Sequence, residues 1–202
     1  MSPADPTHFE PGEPLPASFF DRPAELVARE LLGAIVVSDL AAVRTAGRIV
    51  EAEAYPGPHD PASHAAERIG RTARNEAMHG PPGIAYVYRI YGLHWCLNVV
   101  TGRAERPAAV LLRALEPVAG MDAMAERRGR LSDLASGPAR LTAALGVSGA
   151  QDKHPLRLPP LSIHAGSLAA GESAAAGPRI GVARARDWPL RFWIRDSPFA
   201  SR

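Results

Sequence analysis

The sequence predicts a single α+β domain, in which short helices accompany an antiparallel sheet. Its 202 residues suit one domain with a sizeable core. Two pairs of segments alternate apolar and polar residues across short turns, which is the pattern of a β-hairpin. Apolar residues at helical spacing occur in separate stretches. The sequence contains no repeat and no second domain boundary, so we expect residues 18–202 to fold as one domain behind a flexible lead-in, residues 1–17.

The first expected elements are a helix and a hairpin. Residues 1–17 are rich in proline and acidic residues, a composition that favours disorder. A helix is expected to begin near Asp21, whose side chain can cap it, and to end at Gly33. Residues 34–37 and 43–54 then read as two strands, which together predict an antiparallel hairpin.

A long loop and a second hairpin follow. Residues 56–82 contain several prolines and glycines and predict a loop, with a short helix near 75–78. A loop of this length inside a compact domain is usually functional. Residues 84–91 and 95–100 predict a second hairpin that turns at Gly92.

The rest of the chain mixes strands and helices. The expected elements are a strand over 108–115, helices over 121–128 and 139–145, one strand over 161–164 inside a surface excursion at 147–176, and closing strands over 179–182 and 190–195. The excursion is rich in Gly, Ser, Ala and Pro, and its periodicity is the weakest in the chain.

Bulk composition excludes several classes of protein. The chain is 46% hydrophobic and 22% charged, which is typical of a globular protein and not of a disordered one. No continuous run of 18 apolar residues occurs, so we expect no membrane-spanning helix. The N-terminus lacks the basic start and apolar core of a secretory signal. Cys96 is the sole cysteine, which fits a reducing compartment. We therefore expect a cytoplasmic protein with no membrane partner.

Charge is distributed unevenly along the chain. Residues 1–63 hold four arginines and ten acidic residues, whereas residues 64–202 hold 19 basic and 11 acidic residues. Lys153 is the only lysine, so the positive charge is almost entirely that of arginine, which binds phosphate in a bidentate manner. The pattern is compatible with a polyanionic partner, although arginine-rich usage also follows from the base composition of a genome.

The strand predicted over 43–54 ends in a group of polar side chains. Alternation places Glu51, Glu53 and Tyr55 on one face and small apolar residues on the other. Two carboxylates at i and i+2 repel, and burial would raise the pKa of at least one of them. This is a plausible site for general-base chemistry. A pair of glutamates on a solvated edge strand is the alternative.

All four tyrosines lie between positions 55 and 91. They are Tyr55, Tyr86, Tyr88 and Tyr91, and the last lies at the turn of the second hairpin. Strands favour aromatic residues, so ordinary core packing is one interpretation. Aromatic faces beside arginines are also what stacking on an unpaired base requires, and a ring at a hairpin tip can wedge into a base stack.

The sequence offers weak evidence for a metal. His59, Asp60 and His64 lie close together, but no second cluster, HExxH or CxxC completes a site. We therefore expect neither a metal nor another cofactor. Covalent imine chemistry on a sugar aldehyde would need an amine. The only lysine, Lys153, lies in the least regular stretch of the chain. Attack by a water molecule is therefore the expected route.

Several motifs occur in the order of a known family. They are Glu51–Pro58 (EAEAYPGP), Ser63-His64, Arg71–Asn75 (RTARN), Gly83–Gly92 (GIAYVYRIYG), Val110–Pro117 (VLLRALEP), Ser136–Pro138 and Pro189–Phe192. Over roughly residues 18–200 the chain resembles the alkyladenine (3-methyladenine) DNA glycosylase family.

The resemblance implies a monofunctional enzyme of base excision repair that acts without metal, cofactor or lyase activity. Its expected substrates are alkylated or deaminated purines, such as 3-methyladenine, 7-methylguanine, hypoxanthine and ethenoadenine, in double-stranded DNA. The implied fold is a mixed α/β domain, which has a curved antiparallel β-sheet flanked by helices and a protruding β-hairpin that inserts into DNA. We expect it to act as a monomer.

The resemblance also assigns roles to residues near the glutamate strand. Glu53 matches the general base that activates water, and Arg113 matches the residue that helps to hold that water. Tyr55 and Tyr88 match the rings that stack on both sides of the flipped base. His64 matches a position that lines the base pocket. Glu51 is then left with a structural role or with tuning the pKa of Glu53.

Further roles concern the hairpin and the basic loop. Tyr91 matches the side chain that fills the gap left in the duplex. Asn98 matches the pocket residue that disfavours the exocyclic amine of normal guanine. Arg71 and Arg74 are candidates for contacts with the DNA backbone. The hairpin tip, residues 92–95, departs from the methionine- and tyrosine-containing tip of the vertebrate members.

Two other functions fit the same residues. One is a non-enzymatic module that binds single-stranded or distorted nucleic acid through the aromatics and arginines, without base release. The other is a metal-dependent hydrolase that uses Glu51, Glu53, Asp60 and histidines, and it predicts sensitivity to chelators.

Overall fold

The structure is a computed structural model that describes residues 10–201, and residues 1–9 and 202 lie outside it. Within this range the strands are β1 (Ile35–Ser38), β2 (Thr45–Tyr55), β3 (Ala85–Ile90), β4 (His94–Thr101), β5 (Ala108–Ala119), β6 (Arg157–Leu158), β7 (Leu161–His164), β8 (Ala174–Gly177) and β9 (Arg191–Ile194). The helices are α1 (Ala17–Phe20), α2 (Ala24–Glu30), α3 (Met121–Arg128) and α4 (Pro138–Leu145), with 3₁₀ turns at Glu76–His79 and Gly149–Gln151.

The described strands form one curled antiparallel sheet in a single α+β domain. Its order is β3-β4-β5-β2-β1-β7-β6, and β9 pairs with both β2 and β8. The long strands β2 and β5 run through the middle, and their register shifts on either side of Glu51. Such bulges bend a strand and increase its twist. Two of the irregularities between β2 and β5 therefore lie directly beside Glu51.

The helices cover one face of the sheet and form the core with it. Ala52 and Ala54 of β2 pack in one cluster with Val27 of α2 and Leu141 of α4. The small alanine side chains let the helices approach the sheet, and each fully buried leucine or valine contributes roughly 1.5–3 kcal/mol. Alternation along β2 then directs Glu51, Glu53 and Tyr55 to the opposite face, as the sequence predicted.

Most of the predicted elements are confirmed. β1 pairs with β2 and β3 with β4, both antiparallel. The helix predicted over 121–128 has the same bounds in α3. The strand predicted over 161–164 is β7, which is buried and pairs with β1, so this part of the supposed surface excursion belongs to the sheet.

Two details of the prediction are wrong. The N-cap of α2 is Pro23 and not Asp21. Residues 179–182 form a loop, and the strand lies earlier, at Ala174–Gly177. The loop leaves the sheet because the Arg179 guanidinium is buried against Asp60 and the Ile180 N–H donates to Glu53 instead of to a neighbouring strand.

The segment before residue 18 is partly described. Leu15 is buried and its N–H donates to the carbonyl of Ile163, while the Ala165 N–H donates to the carbonyl of Glu13. Residues 13–15 belong to the segment that was expected to be flexible, and in the structure they lie against β7. Within residues 10–201, no helix is long and apolar enough to cross a membrane.

The β3–β4 turn projects two apolar side chains into solvent. Ile90 pairs with His94, which leaves residues 91–93 as the turn. Tyr91 adopts a φ of 51°, a left-handed conformation that is uncommon for a residue other than glycine. Tyr91 is 90% exposed and Leu93 is 74% exposed. The turn therefore presents a tyrosine ring and a leucine at its tip.

Candidate active site

One cavity of about 490 Å³ collects most of the predicted site residues. It lies between the 56–82 loop, the β3–β4 hairpin and the 180–184 loop. The predicted residues on its wall are Tyr55, His64, Arg74, Tyr88, Tyr91, Asn98 and Arg113. They come from four strands and two loops, and the cavity has the size of a typical small-molecule pocket.

Glu53 lies directly behind this wall and is 0% exposed. Its Oε1 accepts the Ile180 N–H at 2.7 Å and lies 3.2 Å from Nη1 of Arg113. Its Oε2 accepts the Tyr55 hydroxyl at 3.1 Å. Burial raises the pKa of the Glu53 carboxyl, while the positive charge of Arg113 opposes that rise. The structure therefore holds a carboxylate next to the cavity, with its basicity increased by burial.

Glu51 has a different environment, although it lies on the same face of β2. It is also 0% exposed, and its Oε1 accepts Nε of Arg113 at 3.0 Å and Nε of Arg191 at 2.6 Å. Its Oε2 accepts the Ser201 N–H at 2.6 Å. Two arginines and a backbone amide thus compensate the charge that burial would otherwise penalise. This pairing fits the structural role considered for Glu51.

A buried ion pair, which sequence reasoning missed, contacts the Tyr55 ring. The Arg179 guanidinium carbon lies 4.7 Å from the centroid of the Tyr55 ring. Arg179 donates to both carboxylate oxygens of Asp60 and, through Nη1, to the Ala54 carbonyl at 3.0 Å. Both side chains of the ion pair are 0% exposed. Because Asp60 and Arg179 are 119 residues apart, no local pattern could have revealed the pair.

His64 and Tyr88 form the opposite side of the cavity with Tyr86. The His64 and Tyr88 rings meet edge to face with centroids 4.5 Å apart, and the His64 Nδ1 and Tyr86 hydroxyl are 2.8 Å apart. Asn98 Nδ2 donates to the Tyr86 carbonyl at 2.9 Å. Burial, assisted by the charge of Arg74, lowers the pKa of His64 to about 4. His64 is therefore neutral at pH 7.

The loop that carries His64 is held by a buried asparagine. Asn75 donates from Nδ2 to the carbonyls of His64 and Gly70, at 2.9 and 2.7 Å. Its Oδ1 accepts the Thr72 N–H at 2.7 Å. Asn75 is fully buried, so the long loop has an ordered interior and can place the His64 backbone accurately.

The two arginines that were predicted to contact the DNA backbone, Arg71 and Arg74, have different partners in the structure. Arg71 is paired with both Glu76 and Glu105. Arg74 instead lies over the Tyr88 ring, 5.1 Å from its centroid, and donates from Nη2 to the Arg89 carbonyl. Two further arginines on the cavity wall, which the sequence did not single out, are Arg68 and Arg184. The mouth of the cavity is therefore basic, and a phosphate would have to compete with carboxylates for Arg71.

The residues of the metal-hydrolase alternative are engaged with other partners. Asp60 binds Arg179, Glu51 binds two arginines, and His64 contacts Tyr86. In the part of the chain that the structure describes, no group of three or more His, Cys, Asp or Glu residues is arranged to hold a metal ion.

Comparison with known proteins identifies the family. The family model described as methylpurine-DNA glycosylase (MPG) matches residues 18–198. The chain belongs to the methylpurine-DNA glycosylase family. This confirms the resemblance found in the motifs, and it makes the protein a DNA glycosylase, a hydrolase that acts on DNA. The non-enzymatic alternative is thereby disfavoured.

Relatives of this methylpurine-DNA glycosylase family member match it over nearly the whole chain. A protein of Myxococcus xanthus (strain DK1622) is 48% identical over 191 residues, covering 93% of both chains. One from Rhodopseudomonas palustris (strain HaA2) is 47% identical and covers 94% of this chain and 91% of its own. One from Methanoculleus marisnigri is 47% identical and covers 93% and 98%. Their names provisionally describe all three as 3-methyladenine DNA glycosylases.

Proposed function

We propose that the protein removes alkylated or deaminated purines from double-stranded DNA with a water molecule activated by Glu53, and so initiates base excision repair. The observation that carries this proposal is the buried Glu53–Arg113 pair behind a cavity with Tyr55 and Tyr88 on its wall. The names of the relatives, which refer to 3-methyladenine, support the substrate class.

The first step is extrusion of the damaged nucleotide. A base inside a duplex cannot reach Glu53, so it has to rotate out of the stack, at a cost of a few kcal/mol that is smaller for damaged pairs. Tyr91, exposed at the tip of the hairpin, would then fill the gap. The arginines at the cavity mouth provide the positive charge that the flanking phosphates need.

The second step is recognition between two rings. Stacking a base on aromatic side chains contributes roughly 1–3 kcal/mol per base. A purine methylated on a ring nitrogen is cationic and gains a further cation–π attraction, about 1–2 kcal/mol in a dry site. Arg179 and Arg74 already lie over Tyr55 and Tyr88, so this additional gain falls toward the lower end of that range.

The third step is hydrolysis of the N-glycosidic bond. Ionised Glu53 accepts a proton from water, the water oxygen bonds to the anomeric carbon, and the bonding electrons leave with the purine. The carboxylate also stabilises the positive charge that builds on the sugar, and Arg113 orients it. A cationic purine leaves without a proton. A neutral one, such as hypoxanthine, needs a proton that neutral His64 does not provide at pH 7.

One assay separates the proposal from its alternatives. Duplex DNA that contains 3-methyladenine or hypoxanthine is incubated with the protein, with and without a chelator, and free base and alkali-labile sites are measured. The proposal expects base release that a chelator does not reduce. Binding without release would support a non-enzymatic module, and inhibition by the chelator would support a metal-dependent hydrolase.

The excision rate is expected to fall when the pH is lowered through the raised pKa of Glu53. Burial moves the pKa of this carboxyl above its ordinary value of about 4.3. Because only the ionised form accepts the proton from water, the loss begins at a higher pH than for an exposed glutamate. Single-turnover excision of cationic 7-methylguanine between roughly pH 4 and 8 measures it. A rate that stays constant to the acid end of that range would contradict the assignment.

Replacing Tyr91 with Ala is expected to weaken binding to a damaged duplex by roughly tenfold, since the gap left by the flipped base is no longer filled by an aromatic ring. Fluorescence anisotropy with a duplex that carries an abasic-site analogue measures the dissociation constant. Val43→Ala removes another exposed apolar side chain, in the β1–β2 turn, and serves as the control. Equal affinities for the two variants would argue against a wedge.

A further inference from the structure

The segment that follows β9 folds back onto β2, the strand that carries Glu51 and Glu53. The Ser201 N–H donates to Glu51 Oε2 at 2.6 Å, and its hydroxyl lies 2.8 Å from Oε1 of the same carboxylate. The Ser201 carbonyl accepts Nη2 of Arg191 at 3.2 Å. A serine 150 residues distant in the chain therefore binds Glu51 through both its backbone and its side chain.

The same serine contacts Arg113. Nη2 of Arg113 donates to the Ser201 hydroxyl at 3.3 Å, while Nε binds Glu51 at 3.0 Å and Nη1 lies 3.2 Å from Glu53. The three nitrogens of one planar guanidinium thus have three separate partners. Because the group is planar and rigid, a change at Nη2 or Nε also moves Nη1.

Open space adjoins this network. A second cavity of about 910 Å³ is lined by Arg113, by residues 198–201 and by residues 131–140. Arg113 also lines the first cavity, so it lies between the two spaces. Ser201 holds one side of Arg113 at the boundary with the second cavity. Without the serine hydroxyl, water from that cavity could bind Nη2 in more than one geometry.

We propose that Ser201 is a positioning residue for hydrolysis, which acts with Glu51 to orient Arg113 so that Nη1 remains on Glu53. The proposal rests on the proposed function, in which Glu53 activates water. Ser201 itself does not line the first cavity, and it makes no hydrogen bond to Glu53. Its effect on the rate passes through Arg113, so loss of the serine hydroxyl should slow the chemical step without weakening DNA binding.

The electrostatics of Glu53 provide a readout that a purely structural role would leave unchanged. The titratable and charged groups around Glu53 are Glu51 and Tyr55 of β2, Cys96 of β4, Arg113 of β5, Arg179 of the loop between β8 and β9, and Arg191 of β9. Among the charges, that of Arg113 lowers the pKa of Glu53 most. If Arg113 turns away, this pKa rises, and the acid limb of the rate profile moves to higher pH.

The test compares Ser201→Ala with Ser201→Thr, which keeps a hydroxyl, and with Ser132→Ala, an exposed serine on the wall of the same second cavity. Single-turnover excision at saturating protein, affinity for an abasic-site duplex, the pH–rate profile and thermal stability are measured for each. We expect Ser201→Ala to lower the rate about tenfold, with unchanged affinity and an acid limb at higher pH. Ser201→Thr should recover most of the rate, and Ser132→Ala should match the wild type.

Two results would overturn the inference. One is a Ser201→Ala protein that excises at the wild-type rate. The other is a Ser201→Ala protein in which affinity, stability and rate fall together while the acid limb of the pH–rate profile does not move. That pattern would indicate general destabilisation. Failure of the proposed function gives a different result, because the wild-type protein would then release no damaged base under any of these conditions.

Discussion

Replacing Glu53 with Gln is expected to lower the rate of base release by about 10³-fold, within the range typical of a general base. The amide has nearly the same shape as the carboxylate and can still accept the Ile180 N–H. It cannot accept a proton from water, and it removes the negative charge that faces Arg113 and the developing positive charge on the sugar. The variant should therefore retain the site but lose the chemical step.

Two measurements check this expectation. Single-turnover release of 3-methyladenine reports the chemistry, and affinity for a duplex with an abasic-site analogue reports binding, which should stay nearly intact. The matched control is Glu116→Gln, which changes a partly exposed glutamate of β5 that pairs with Arg48 away from the cavity. Release by the Glu53→Gln protein at the wild-type rate would disprove the mechanism.

Replacing Asp60 with Asn is expected to destabilise the protein by about 3–5 kcal/mol, the typical cost of breaking a buried ion pair by removing one partner. Arg179 would remain buried with an uncompensated charge directly over the Tyr55 ring. The amide oxygen can still accept the Ala62 N–H, which Asp60 accepts at 2.9 Å, so the expected loss comes from the missing negative charge. Urea unfolding at pH 7 measures the free energy of unfolding.

The control for Asp60→Asn is an ion pair at the surface. Asp39 pairs with Arg44, and their side chains are 33% and 51% exposed. Since solvent already screens this pair, Asp39→Asn should cost no more than about 1 kcal/mol. Equal losses in the two variants would show that the buried Asp60–Arg179 pair contributes no more to stability than a surface pair.

Much of the fold could be predicted because it follows from local patterns. The two hairpins were recognisable from alternation and turn residues, and α3 from its spacing after Gly120. The strand at 174–177 was missed because its sequence is alanine-rich, with none of the β-branched or aromatic residues that signal a strand. It pairs with β9, and that partner lies beyond the range of any local pattern.

For the site, alternation alone predicted that Glu51, Glu53 and Tyr55 share one face. The motif resemblance implied different roles for the two glutamates. In the structure the two glutamates have different contacts. Arg113 contacts both carboxylates, whereas Arg191 and Ser201 contact Glu51 and leave Glu53 with Ile180 and Tyr55. Their catalytic roles remain a proposal, which the variants above can test.

The sequence by itself determined the class of fold, the family and which side chains occupy one face of β2, because these depend on short periods and on motifs that are contiguous in the chain. Only the tertiary structure decided the electrostatic environment of those side chains. Asp60 meets Arg179 and Glu51 meets Ser201 across 119 and 150 residues. Such pairs form only when the curved sheet and its loops close on each other, since buried charges require partners wherever the chain places them.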